Sequence, residues 1–99
     1  MKYNPTDKLT ARTLVEYTHN RNGDLNGCVV ATGNSAYGWS LGWSLCSPKD
    51  VFNKENAYKI AVLRATGGTN KPTPHSIRRV VERMTSRANR YFKVEQVIV

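Results

Sequence analysis

The sequence predicts one α+β domain, an antiparallel sheet of about four strands with two helices, in the order β-β-β-α-α-β. Three observations carry that expectation. Large and small residues alternate without a break over residues 37–46. Apolar residues recur at spacings of three and four over residues 77–92. Turn-forming clusters rich in Asn and Gly separate the β-branched runs that precede them, at a spacing that suits consecutive hairpins.

Residues 1–10 are polar and contain Pro5, which reads as a loose N-terminal arm and leaves residues 11–99 as the domain. The run R-T-L-V-E-Y-T over 12–18 is β-branched and aromatic, hence a strand. Asn20-Arg21-Asn22-Gly23-Asp24 makes a turn, because Asn and Gly tolerate positive φ. A second strand runs through Cys28-Val29-Val30-Ala31, and Gly33-Asn34-Ser35 turns the chain again. In the third strand, Tyr37, Trp39, Leu41, Trp43 and Leu45 share one face by the two-residue period, and Gly38, Ser40, Gly42, Ser44 and Cys46 share the other. The large face must be core, since a row with two Trp left in water would invite aggregation. The small face is either closely packed or solvated, or it is a flat platform for a ligand or a partner backbone.

Ser47-Pro48-Lys49-Asp50 is either a turn or an early helix start with Ser47 as cap. Asn53 is the other cap candidate, and Ala57, Ile60, Ala61 and Arg64 at helical spacing place the first helix at about 53–66. Gly67 and Gly68 stop it. A loop with two prolines leads to Thr73-Pro74, read as N-cap and first helical residue. The second helix then carries Ile77, Val80, Val81, Met84, Ala88, Tyr91 and Phe92 in one stripe. K-V-E-Q-V-I-V over 93–99 reads as the last strand, paired to a sheet edge.

At 99 residues the chain holds one modest core. Hydrophobic residues are 39%, the mean hydropathy is -0.53, and no apolar run approaches the roughly 18–20 residues that span a bilayer. No apolar stretch near Met1 suits a signal peptide, so the expected location is cytoplasmic, with no membrane partner. Cys28 and Cys46 lack metal spacing and are expected as small, half-buried residues on neighbouring strands. No metal or cofactor is expected.

Fifteen Lys and Arg against 7 Asp and Glu give a net charge of +8. That balance disfavours a mimic of DNA and favours an anionic partner: nucleic acid, a nucleotide or an acidic host protein. The distribution sharpens it. Arg79, Arg83, Arg87 and Arg90 recur at four, four and three on the second helix, beside its apolar stripe, with Arg78 and Lys93 further round and Glu82 the one acid. Like charges at i, i+4 repel by a few tenths of a kcal/mol, so an uncompensated band runs against plain solubility design. Guanidinium also grips phosphate through two hydrogen bonds where an ammonium is a point charge. The alternative is a solvated or oligomer-contact face. Arg64, Lys54 and Lys59 extend the patch if the helices are neighbours, with Arg64 in a pocket between them or bridged to Asp50. Tyr91 and Tyr58 are the aromatics placed to stack on a base. His75, in the first turn of the second helix, is a hydrogen-bond donor to phosphate or simply exposed. No Walker, Rossmann or nucleophile-elbow motif and no paired acids are present, so a non-enzymatic protein is expected.

Trp43-Ser44-Leu45-Cys46-Ser47-Pro48-Lys49-Asp50, followed by Phe52, Lys54, Ile60-Ala61 and Arg64-Ala65, resembles a pattern in a family of small tailed-phage proteins. In that family an S-L-C-x-P-x-D-x-F turn precedes a helix with I-A-x-x-R. Arg87-Ala88-Asn89-Arg90-Tyr91-Phe92-Lys93 is similar to its end, while Ala57 stands near a place where glycine is common. The resemblance implies a bacteriophage accessory protein acting in the infected host, in counter-defence or host takeover. Joined to the arginine band, it leads to binding of nucleic acid, or of the nucleic-acid groove of a host complex. The alternatives are a sponge for a cyclic-nucleotide immune signal, or a protein-only inhibitor or virion structural component.

Overall fold

A computed structural model describes residues 12–34, 38–67 and 72–92. Strands β1 (Arg12–His19), β2 (Leu25–Asn34) and β3 (Gly38–Leu45) precede helix α1 (Lys54–Gly67), a 3₁₀ turn (His75–Ile77) and helix α2 (Arg78–Tyr91). The chain is α+β, with a three-stranded antiparallel sheet in the order β1-β2-β3. The expected fourth strand over 93–99, the arm over 1–10 and the stop at Gly68 lie outside the described residues.

The β1–β2 hairpin closes as its residues dictate. Asn20 Oδ1 accepts the backbone N–H of Asn22 at 2.9 Å and of Asp24 at 3.0 Å, and Gly23 takes φ +85°. β2 extends well beyond the expected 28–31, because pairing on both sides carries it from Leu25 to Asn34. The register runs from Arg12↔Gly33 to Thr18↔Gly27 on one side and from Gly27↔Leu45 to Asn34↔Gly38 on the other.

The two helices cover opposite faces of the sheet. On one face Leu14, Val29 and Ala31 pack with Ile77, Met84, Ala88 and Phe92, and the Trp39, Leu41, Trp43, Leu45 row joins them half-buried. α2 lies over β1 and β2, so the large face of β3 packs on the flank of this core and stays half-buried, less enclosed than its alternation predicts. On the other face Cys28 and Val30 pack against Ala57, Ala61 and Ala65 of α1. The small face of β3 faces this helix. Ser44 Oγ donates to the Ala57 carbonyl at 2.7 Å. A Cβ on Gly42 would overlap the Ala61 carbonyl oxygen and stand 2.6 Å from the Ala65 nitrogen. Glycine here is what lets a helix of alanines approach the strand. The platform reading of this face is thus corrected at Gly42 and Ser44, which a helix covers.

Of the two helix starts, the first falls at Asn53, one of the two expected places, and the second differs from expectation. Residues 47–50 form a turn and not a helix start: the Asp50 amide donates to the Ser47 carbonyl at 3.0 Å and the Lys49 amide to Ser47 Oγ at 3.3 Å. Asn53 is the cap, its Oδ1 accepting the Asn56 amide at 2.9 Å. Thr73 caps nothing. Pro74, with ψ 139°, opens the 3₁₀ turn through its carbonyl, and α2 follows from Ile77 without a side-chain cap.

Burial sets the two thiols apart. Both cysteines are free, but Cys28 has no exposed surface, whereas Cys46 follows β3 half-exposed. Desolvation pushes the Cys28 thiol up to about 11. In native protein at pH 8, iodoacetamide should therefore modify one thiol per chain, at Cys46, and a second only after unfolding, as counted by mass spectrometry. Two fast thiols would mean that α1 does not seal this face. The same shift favours the folded state below the ordinary thiol value of 9.0, and that contribution fades as pH rises toward about 11.

Candidate anion-binding face

α2 projects its side chains at about 100° per residue. Ile77, Met84, Ala88 and Phe92 are buried against the sheet, which puts Arg79, Arg83, Arg87 and Arg90 on one flank, all exposed. A single contact fixes which way that flank looks. Arg83 Nε lies 2.7 Å from Oε1 of Glu16 on β1, so the arginine flank overhangs the β1 edge of the sheet.

The arginines are not equivalent. Arg83 is bound by Glu16, whose side chain is only 20% exposed and whose Oε2 is buried without a partner. Arg78 stands on the other side of the helix and pairs with Glu82 at 3.6 Å. Among the described residues, Arg79, Arg87 and Arg90 meet no carboxylate within ion-pair distance. These three are the uncommitted cations of the band. His75, Ser76, Arg78, Arg79 and Glu82 line an open depression at the start of the helix. Tyr91 is 56% exposed beside the band, its ring edge-to-face with buried Phe92 at 5.0 Å.

The residues expected from the first helix separate from this group. Arg64 does not line a pocket between helices, because the helices lie on opposite faces. Its Nη1 donates to the Trp43 carbonyl at 2.9 Å, and its guanidinium sits 4.7 Å from the Trp43 ring centre. Arg64 springs from α1 on one face and meets a ring on the other, so it wraps the outer edge of β3. Its partner is thus Trp43 and not Asp50. Tyr58 is half-buried in the cluster under α1 with Val15 and Tyr17, away from the α2 band. Lys54 Nζ lies 4.6 Å from the Tyr17 ring centre, on the α1 face of β1. The Arg83–Glu16 pair was not legible beforehand, since 67 residues separate its members.

Two hollows elsewhere among the described residues have a different chemistry. One, about 290 Å³, runs from Ser44 past Asp50 to Ile60, and another is lined by Asn20, Asp24, Asn26 and Asp50. They carry carboxylates and amides without a guanidinium, which does not suit phosphate. Among the described residues no group of His, Cys, Asp or Glu could hold a metal ion, and no helix is long and apolar enough to cross a membrane. Comparison of the chain with known protein families, with curated proteins and with solved structures found no match.

Proposed function

We propose that the protein is a small, non-enzymatic phage accessory protein that binds nucleic acid through the arginine flank of α2. The observation that carries this reading is the set Arg79, Arg87 and Arg90: exposed, on one flank, and without carboxylate partners among the described residues. An open helix flank suits an extended polyanion, which offers phosphates in a row. It suits an enclosed small nucleotide less well. Such contacts position a nucleic acid without reading its sequence. The phage origin rests on the motifs between Trp43 and Arg64 and around Arg87.

The test is fluorescence anisotropy with a labelled mixed-sequence oligonucleotide over a salt series. Each phosphate neutralised on duplex DNA contributes about −0.9 to the slope of log K against log salt. Arg79→Ala/Arg87→Ala/Arg90→Ala should flatten that slope by about three and abolish binding at physiological salt. Its melting temperature should stay near that of the parent, since exposed substitutions usually change stability by no more than about 0.5 kcal/mol each. Arg83 is left in place because its removal would strand the carboxylate of Glu16. Absence of oligonucleotide binding at low salt would overturn the reading. If a nucleotide at 100 times its Kd then added about 2.7 kcal/mol of stability, a sponge would replace it.

A further inference from the structure

The two helices cover opposite faces, yet each brings a cation to the same edge of the sheet. Glu16 and Tyr17 are neighbours on β1, so their side chains point to opposite faces. Glu16 holds Arg83 of α2 at 2.7 Å, and the Tyr17 ring holds Lys54 of α1 at 4.6 Å. β1 is an outer strand of the three described. α1 is further oriented by Tyr58 and Val62, which join the same buried cluster as Val15 and Tyr17 of β1, and by Arg64, which reaches β3. On that helix Lys59 lies on the outer surface, on the side of Tyr58 and Val62, exposed and paired with Glu55 at 3.2 Å. Ile60, 43% exposed, lies on the Arg64 side, toward β3, and Leu63, 68% exposed, on the outer surface. The β1 edge thus has cations on both faces, with Glu16 and Glu55 among them, whereas the β3 side carries Ile60, Leu63 and Arg64.

Resting on the nucleic-acid reading above, we infer that the binding surface does not end at α2 but continues around the β1 edge to Lys54 and Lys59. The partner it fits is a duplex. Two groups of cations on opposite faces of one edge suit two phosphate backbones better than a single one. A single strand offers one phosphate track, which α2 alone would hold. The lysines act as point charges with mobile donors, so they add affinity and salt dependence without fixing register.

The experiment compares a labelled 20-bp duplex with its single strand, using the parent, Lys54→Gln/Lys59→Gln, the α2 triple variant and a Lys49→Gln control from the turn after β3. The parent should prefer the duplex. The lysine pair should weaken duplex binding about tenfold or more near 0.1 M salt and reduce the salt slope by about two, leaving single-strand binding nearly unchanged. Lys49→Gln should have no comparable effect. If the lysine pair binds duplex like the parent while the α2 triple variant does not, the surface is confined to α2. The two-sided footprint then fails and the nucleic-acid reading stands. Equal loss with Lys49→Gln, or equal affinity for duplex and single strand, overturns the footprint as well. Full binding by the α2 triple variant would instead remove the nucleic-acid reading itself.

Discussion

Gly42→Ala is expected to destabilise the fold by about 3 kcal/mol or more, at the upper end of what overpacking costs, because the obstacle is backbone and cannot rotate away. The added methyl would strike the Ala61 carbonyl oxygen and crowd the Ala65 nitrogen, with the Ala65 Cβ 2.8 Å away. The only relief is to lift α1 from β3. That would also stretch the bond from Ser44 Oγ to the Ala57 carbonyl, now 2.7 Å. Urea unfolding followed by circular dichroism reads the effect, and thiol labelling of Cys28 should accelerate with it, since Cys28 lies under the same helix. A change below about 1 kcal/mol would show that α1 rides further from the sheet than its contacts imply.

Met84→Ala is expected to cost about 2–5 kcal/mol, the usual range for emptying a buried site of this size. Met84 has no exposed surface and packs among Leu14, Val29, Ala31 and Ile77. The cavity would open between α2 and the middle of the sheet, where β1 and β2 are held by their ladder and cannot collapse inward. The same urea titration measures it. A loss under 1 kcal/mol would mean that α2 is only lightly docked, and the orientation of the arginine flank would lose its support. Thus Gly42→Ala tests the attachment of one helix and Met84→Ala that of the other.

Much of this architecture was readable in the chain. The unbroken alternation before Cys46 placed β3 and its core face, and the apolar stripe from Ile77 to Phe92 placed α2. Local patterns of that kind are written within one element. What connects elements was not readable. The buried face of α1 consists of Ala57, Ala61 and Ala65, whose small side chains give little periodic contrast. Only beside Gly42 and Ser44 do they make sense, as residues chosen for close approach. For the same reason the sequence does not reveal that the two helices lie on opposite faces, so Arg64 looks like a companion of the α2 arginines when it is in fact a clasp on β3. The arginine band itself is visible at its spacing of four, four and three. That Arg83 is committed to Glu16, and that Lys54 faces the same edge from behind, depends on which strand each helix overhangs.

The meander has a kinetic consequence. Every strand pairs with its neighbour in the chain, and the widest pairing in the sheet joins only Arg12 to Gly33. Closing such short loops demands little entropy, and proteins dominated by nearby contacts fold faster than those that must bring distant segments together. During synthesis the three strands and α1, whose contacts are with β2 and β3, can assemble while α2 is still within the ribosome, leaving Leu14, Val29 and Ala31 bare until the last helix arrives.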